Sequence, residues 1–128
     1  MSYYLSRTVT ATMADAVTRV TTALKQEGFG VLSDIDVQAT LKTKLGVDFP
    51  GYRILGACNP GFAHQGLLLE DKLGVLLPCN VIVREAEPGQ IEVAAIDPVE
   101  SLERVSNPKL AAMAVEVRTR LQRALDTL

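Results

Sequence analysis

The chain has 128 residues, 48% of them apolar and 22% charged, proportions of one folded domain spanning residues 1–128 that exclude a disordered segment and leave no room for a second core. Thirteen basic against fifteen acidic residues give a net charge of −2, so no overall positive field attracts nucleic acid or an anionic membrane. The N-terminus Met1 to Arg7 has no basic stretch ahead of an apolar one, and no apolar run approaches the roughly 18 residues of a membrane span, which predicts a soluble cytoplasmic protein with no membrane partner.

Tyr3 to Thr10 alternates, with Tyr3, Leu5 and Val9 on one face and Tyr4, Ser6, Thr8 and Thr10 on the other, which predicts a half-buried strand broken on its apolar side only by Arg7. Thr12 with Asp15 resembles a capping box. Met13, Val17, Val20 and Leu24 then recur at helical spacing until Gly28. Phe29 to Asp36 returns to strand character, and Asp36 caps a short helix through Leu45 that stops at Gly46. After the turn Asp48-Phe49-Pro50-Gly51, Tyr52 to Cys58 is a third strand, ended by Asn59-Pro60.

Asparagine at a helix cap followed by proline is a start signal, so a helix is predicted from Pro60 to about Glu70. Gly66 in its interior costs about 1 kcal/mol relative to alanine unless close packing needs the missing side chain. Leu76 to Arg84 predicts a strand whose Pro78 marks an edge, a bend or a bulge, and Pro88-Gly89 supplies the hairpin turn into Gln90 to Ile96. Asp97-Pro98 opens a polar connector with one helical turn through Leu102. Asn107-Pro108 then starts a long final helix, whose buried stripe is Leu110, Ala114, Val117, Leu121, Leu125 and Leu128. Long helices near both ends and a clear hairpin favour an α+β layer of helices on a mainly antiparallel sheet, and no repeat or linker divides the chain.

Gly28-Phe29-Gly30-Val31-Leu32, Ile35-Asp36-Val37, Lys44-Leu45-Gly46-Val47, Tyr52 to Pro60, Leu76 to Val81 and Ala95-Ile96-Asp97-Pro98, in that order, resemble the domain of unknown function 302 family over nearly the whole chain. The most specific pieces are Cys-Asn-Pro at 58–60 and Leu-Pro-Cys at 77–79. The resemblance implies a fold of the TATA-box-binding-protein class, a curved antiparallel sheet of about five strands packed against two long helices with short helices between strands. It also implies a homodimer. It designates no catalytic residues, and the fold class carries no licence for DNA binding, because function lives in sites rather than folds.

Cys58 lies at a strand-to-helix junction, where unpaired backbone donors and the helix dipole favour an anion, and where an accessible thiol ionises more readily. Cys79 opens the next strand, so antiparallel pairing of the two strands makes the cysteines neighbours. One reading is a thiol site, either a reversible dithiol or a soft-metal site with His64 as third ligand. The plainer one is a pair of small buried hydrophobes at crowded junctions. Cys58, Cys79 and His64 are one ligand short of a closed zinc site and lack its compact spacing. His64 is the only histidine, so any cysteine-histidine or serine-histidine-aspartate catalysis runs through it, against the plainer reading of a solvated side chain.

Asp34 and Asp36 share a face of their strand and could hold a cation or a polar ligand, although Asp36 is already a natural cap. Arg104, Arg118, Arg120 and Arg123 are interleaved with Glu116 and Asp126, as on a solvated face, and no nucleotide-binding glycine fingerprint is present. The reading is a homodimeric binding or accessory module whose site gathers Cys58, Asn59, Pro60 and Cys79, with Asp34 and His64 as outer contributors and a small molecule or a metal as ligand. The residues specify no cofactor. A thiol-dependent enzyme or redox sensor, with Cys58 reactive and Cys79 resolving, is the alternative of a different class. A third is that the motifs serve the turn and a dimer seam, with no ligand at all.

Overall fold

Side chains that satisfy backbone groups set the element boundaries in the computed structural model, which describes residues 2–128. Strand β1 (Tyr4–Thr10) leads into helix α1 (Met13–Gln26), where the Thr12 hydroxyl accepts the Asp15 N–H at 3.1 Å. Helix α1 ends in a Schellman turn, with Gly28 N–H donating to Lys25 O and Phe29 N–H to Leu24 O. Gly28 holds φ at +87°, and Phe29 and Leu24 are both buried, which seals that turn against the core. Strand β2 (Gly30–Asp36) runs into α2 (Val37–Leu45), capped by the Asp36 carboxylate on Ala39 N–H.

Strand β3 (Tyr52–Cys58) and helix α3 (Pro60–Leu69) are joined by Asn59, whose Oδ1 accepts Phe62 N–H. The β4 (Cys79–Glu87) and β5 (Gln90–Ile96) hairpin turns at Pro88-Gly89, with Gly89 at φ +78°. Helix α4 (Pro98–Leu102) is capped by Asp97 and α5 (Pro108–Asp126) by Asn107, each with proline in the first turn.

The strands form one antiparallel sheet in the order β1-β5-β4-β3-β2, curved and unclosed, so the chain is an α+β fold with the expected five strands. Helices α1 and α5 bury one face of it. Leu55, Val81, Val83, Ile91 and Val93 from the sheet meet Val20, Leu24, Leu121 and Leu125 from the helices. The pleat sends Tyr4, Ile54, Ile82, Ala94 and Ile96 to the other face, around an Arg84–Glu92 ion pair of 2.7 Å. A groove of about 550 Å³ crosses that face between Tyr4 and Tyr52. Among the described residues no helix is long and apolar enough to cross a membrane.

One expectation about the strands is corrected. The strand predicted from Leu76 begins instead at Cys79, because Pro78 has no N–H for a ladder and Leu73–Leu76 coil into a 3-10 turn whose last turn is closed by Leu77 N–H to Gly74 O. Strand β2 is an edge strand with a bulge between Val31 and Ser33, leaving Leu32 72% and Ile35 50% exposed. Arg118, Arg120 and Arg123 lie partly or well exposed, as expected of a solvated face interleaved with acids, and pair with Asp97, Glu116 and Glu27 respectively.

Two oddities of sequence acquire causes. Arg7 interrupts the apolar face of β1 because its guanidinium donates to Asp126 O at 2.9 Å, where the end of α5 presents carbonyls with negative partial charge. Gly66 is buried, and a Cβ there would stand 2.6 Å from Leu73 Cδ2. The helix interior thus lacks a side chain because the turn after α3 packs into its place.

Candidate functional site

An apolar cavity of about 310 Å³ opens where the Cys-Asn-Pro and Leu-Pro-Cys motifs meet. Its walls come from six places in the chain: Phe29 and Leu32 around the start of β2, the end of β3, one face of α3, the Leu73–Cys79 segment, α4 and the first half of α5. Phe62, Ala63 and Leu67 project from α3, and Leu110, Met113 and Val117 from α5. Asn59, Cys58 and Cys79 are the lining residues with polar or thiol side chains.

The β3–β4 ladder places Cys79 directly across from Ala57, while Cys58 lies across from Gly30 of β2. The two cysteines are therefore offset by one residue on neighbouring strands, and in a regular pleat such residues leave opposite faces of the sheet. A disulfide needs Cβ atoms about 3.5–4.5 Å apart and vectors that converge. Both cysteines are free thiols here, each partly buried. Burial, with Cys58 close by, pushes the Cys79 thiol up to about 11. Near neutral pH it is an uncharged wall group and a poor nucleophile or metal ligand.

A reactivity profile checks this. At pH 8, alkylation of native Cys79 by iodoacetamide is expected to be about a hundredfold slower than in the unfolded chain, since two pKa units separate the thiols. The native rate should keep climbing toward pH 11. A plateau near pH 9 for the Cys79 peptide would contradict the burial of that sulfur.

The remaining sequence candidates divide plainly. Asn59 caps α3 and lines the cavity. Pro60 starts α3 and is exposed, so its part is to stop the strand and fix the first helical φ. His64 is exposed on the side of α3 turned away from the Phe62, Ala63 and Leu67 face, so it does not join the cysteines. Among the described residues no group of three potential metal ligands forms, and the expected Cys58, Cys79 and His64 set is not assembled.

Asp34 lies outside the cavity too. It pairs with Arg53 across the β2–β3 ladder, and this hydrogen bond raises the guanidinium pKa above its ordinary value. Its partner sits 19 residues away, one strand over.

Sequence reasoning missed the apolar half of the site. Leu110 reads only as part of the buried stripe of the last helix and Leu102 as the end of a polar connector, while Leu73 and Met113 carry no signal in the sequence. The available signal was Gly66, a glycine inside an otherwise apolar helix, which marks the spot where Leu73 closes over α3. It also missed Asp97, whose Oδ2 accepts from Arg118 Nε at 2.9 Å and which holds α4, a cavity wall, against α5.

A family model described as domain of unknown function DUF302 matches residues 5–128. A crystal structure of an uncharacterized conserved protein DUF302 from Bacillus stearothermophilus is similar over 98% of both chains, with a TM-score of 0.90 and 31% sequence identity. No curated protein matches the chain.

Proposed function

The chain belongs to the DUF302 family, and from that premise we propose that it is a homodimeric binding or accessory module that takes a small apolar molecule into the cavity between β3, α3 and α5. The observation that carries this reading is the convergence of the Cys-Asn-Pro and Leu-Pro-Cys motifs on one cavity with an almost wholly apolar wall. Its volume of about 310 Å³ falls at the small end of the range for ligand sites, roughly 300–1,000 Å³. Water is a poor occupant, because a buried water needs two to four polar partners and the wall supplies few. An apolar guest would recover the dispersion contacts that the lining otherwise lacks.

For the second copy, the other side of the sheet is the proposed seat. Tyr4, Ile82, Ala94 and Ile96 present an apolar face free of helices, and Arg84 and Glu92 sit side by side within it. Since opposite charges sit side by side there, a two-fold axis through the pair would set Arg84 of one copy against Glu92 of the other, complementary in charge as well as in apolar character.

Native mass spectrometry of freshly purified protein reads both claims at once. The expected result is a dimer carrying additional small-molecule mass that organic solvent removes. A dimer of bare polypeptides would count against the ligand, and a monomer at every concentration would overturn the dimer.

A further inference from the structure

We infer that the occupant of this cavity is an amphipathic carboxylate, its aliphatic chain lying in the apolar cavity and its charged head held at the rim by Arg120 and Asn59. The inference rests on the proposed binding function and adds the ligand's class. Helix α5 lines the cavity through Leu110, Met113 and Val117, and Arg120 follows one turn beyond Val117 at the end where α3 begins. Its guanidinium carbon stands 5.1 Å from the centre of the Phe62 ring, a ring that is itself cavity wall. One hydrophobic surface thus carries the apolar guest and, at its edge, a cation.

Asn59 shares that edge. A Cβ on Gly28 would lie 2.9 Å from Asn59 Nδ2 and 3.5 Å from Arg120 Nη1, so the amide and the guanidinium flank the same spot. The Asn59 side-chain carbonyl is occupied in capping α3, which leaves its Nδ2, beside Gly28, as the free donor. Arg120 uses Nε on Glu116 at 3.1 Å and Nη1 on Glu27 O at 3.4 Å. Among the described residues its Nη2 has no acceptor.

The other charges nearby define the selectivity. Glu27 is already engaged by Arg123 at 2.9 Å, and Glu116 is half-exposed on the same side of α5 as Arg120. Glu116 therefore competes with an incoming carboxylate for Arg120. A guanidinium beside an amide donor favours a carboxylate over the matching alcohol, because charge-assisted hydrogen bonds are about twice as strong as neutral ones.

Calorimetric titration of the full chain with octanoate and with 1-octanol at low salt separates the two halves of the site. Octanoate is expected to bind about tenfold more tightly than 1-octanol. Arg120→Gln should reduce octanoate affinity to that of the alcohol. Glu116→Gln, which removes the competing carboxylate and asks nothing of the core, should strengthen octanoate severalfold, an effect that a merely structural role for Arg120 would not produce. Equal binding of both compounds to the unmodified protein, or no gain in Glu116→Gln, overturns the carboxylate assignment and leaves the apolar site standing. Failure of both compounds to bind overturns the site itself.

Discussion

Asp97→Ala is expected to lower the free energy of unfolding by about 3 kcal/mol, adding a lost cap of about 1 kcal/mol to a lost hydrogen bond between charged partners of roughly 1.5–3 kcal/mol. Asp97 is the buried polar residue of the core, 6% exposed, and both its carboxylate oxygens are used: one on Val99 N–H at 3.0 Å, the other on Arg118. Its own N–H donates to Tyr3 O, which draws the start of β1 to the end of β5. Arg118 is half-exposed, so after the substitution its charge stays hydrated and the loss remains nearer 3 than 5 kcal/mol. Pro98 and Leu102 of α4 line the cavity, so ligand binding should weaken together with stability. Urea unfolding followed by circular dichroism checks the first number. A midpoint that does not move would mean that α4 is held by packing alone.

Gly56→Ala is expected to cost about 2 kcal/mol, within the range for overpacking a close-packed site. Gly56 sits mid-strand in β3, across from Asn80 on one side and Ser33 on the other. A Cβ there would lie 2.3 Å from Ser33 Oγ and 2.8 Å from Pro78 Cγ. The serine hydroxyl can rotate away, but the proline ring cannot, so the Leu77-Pro78-Cys79 segment must lift from the sheet. Since Pro78 and Cys79 belong to the cavity wall, the substitution couples strand packing to the site. Ser33→Ala alone should be nearly neutral, and in combination with Gly56→Ala it should recover little, because the rigid contact is with Pro78. Full recovery in the double variant would place the strain at Ser33 instead.

Local chemistry made most of the fold readable. Thr12, Asp36, Asn59, Asp97 and Asn107 all cap the helices expected of them, because a short polar side chain just before a helix has one geometry in which to satisfy the first free N–H groups. The antiparallel pairing that brings Cys58 and Cys79 to one end of the sheet was legible as well. Whether their sulfurs meet was not, since it depends on a one-residue offset in register that no spacing reveals.

Partners in three dimensions explain the other gaps. Arg118 reads as a surface arginine until α5 folds back over α4 and sets it on Asp97, and Asp34 reads as a free carboxylate until β3 delivers Arg53. The site shows the same division. Its two motifs stand out in the chain, whereas its apolar wall is assembled largely from leucines, phenylalanines and a methionine that are indistinguishable from core residues until six segments enclose a space.

The central claim is that this space, at the junction of the two cysteine motifs, is where the protein binds. An amide NMR titration with 1-octanol tests it most directly, because it reports location residue by residue. The account predicts that shifts concentrate on Cys58, Asn59, Phe62, Leu67, Cys79 and Met113, and that filling the cavity with Ala63→Phe removes them while the rest of the spectrum persists. Shifts confined instead to Tyr4, Ile82 and Ile96 on the open sheet face, or a response unchanged in Ala63→Phe, would contradict it.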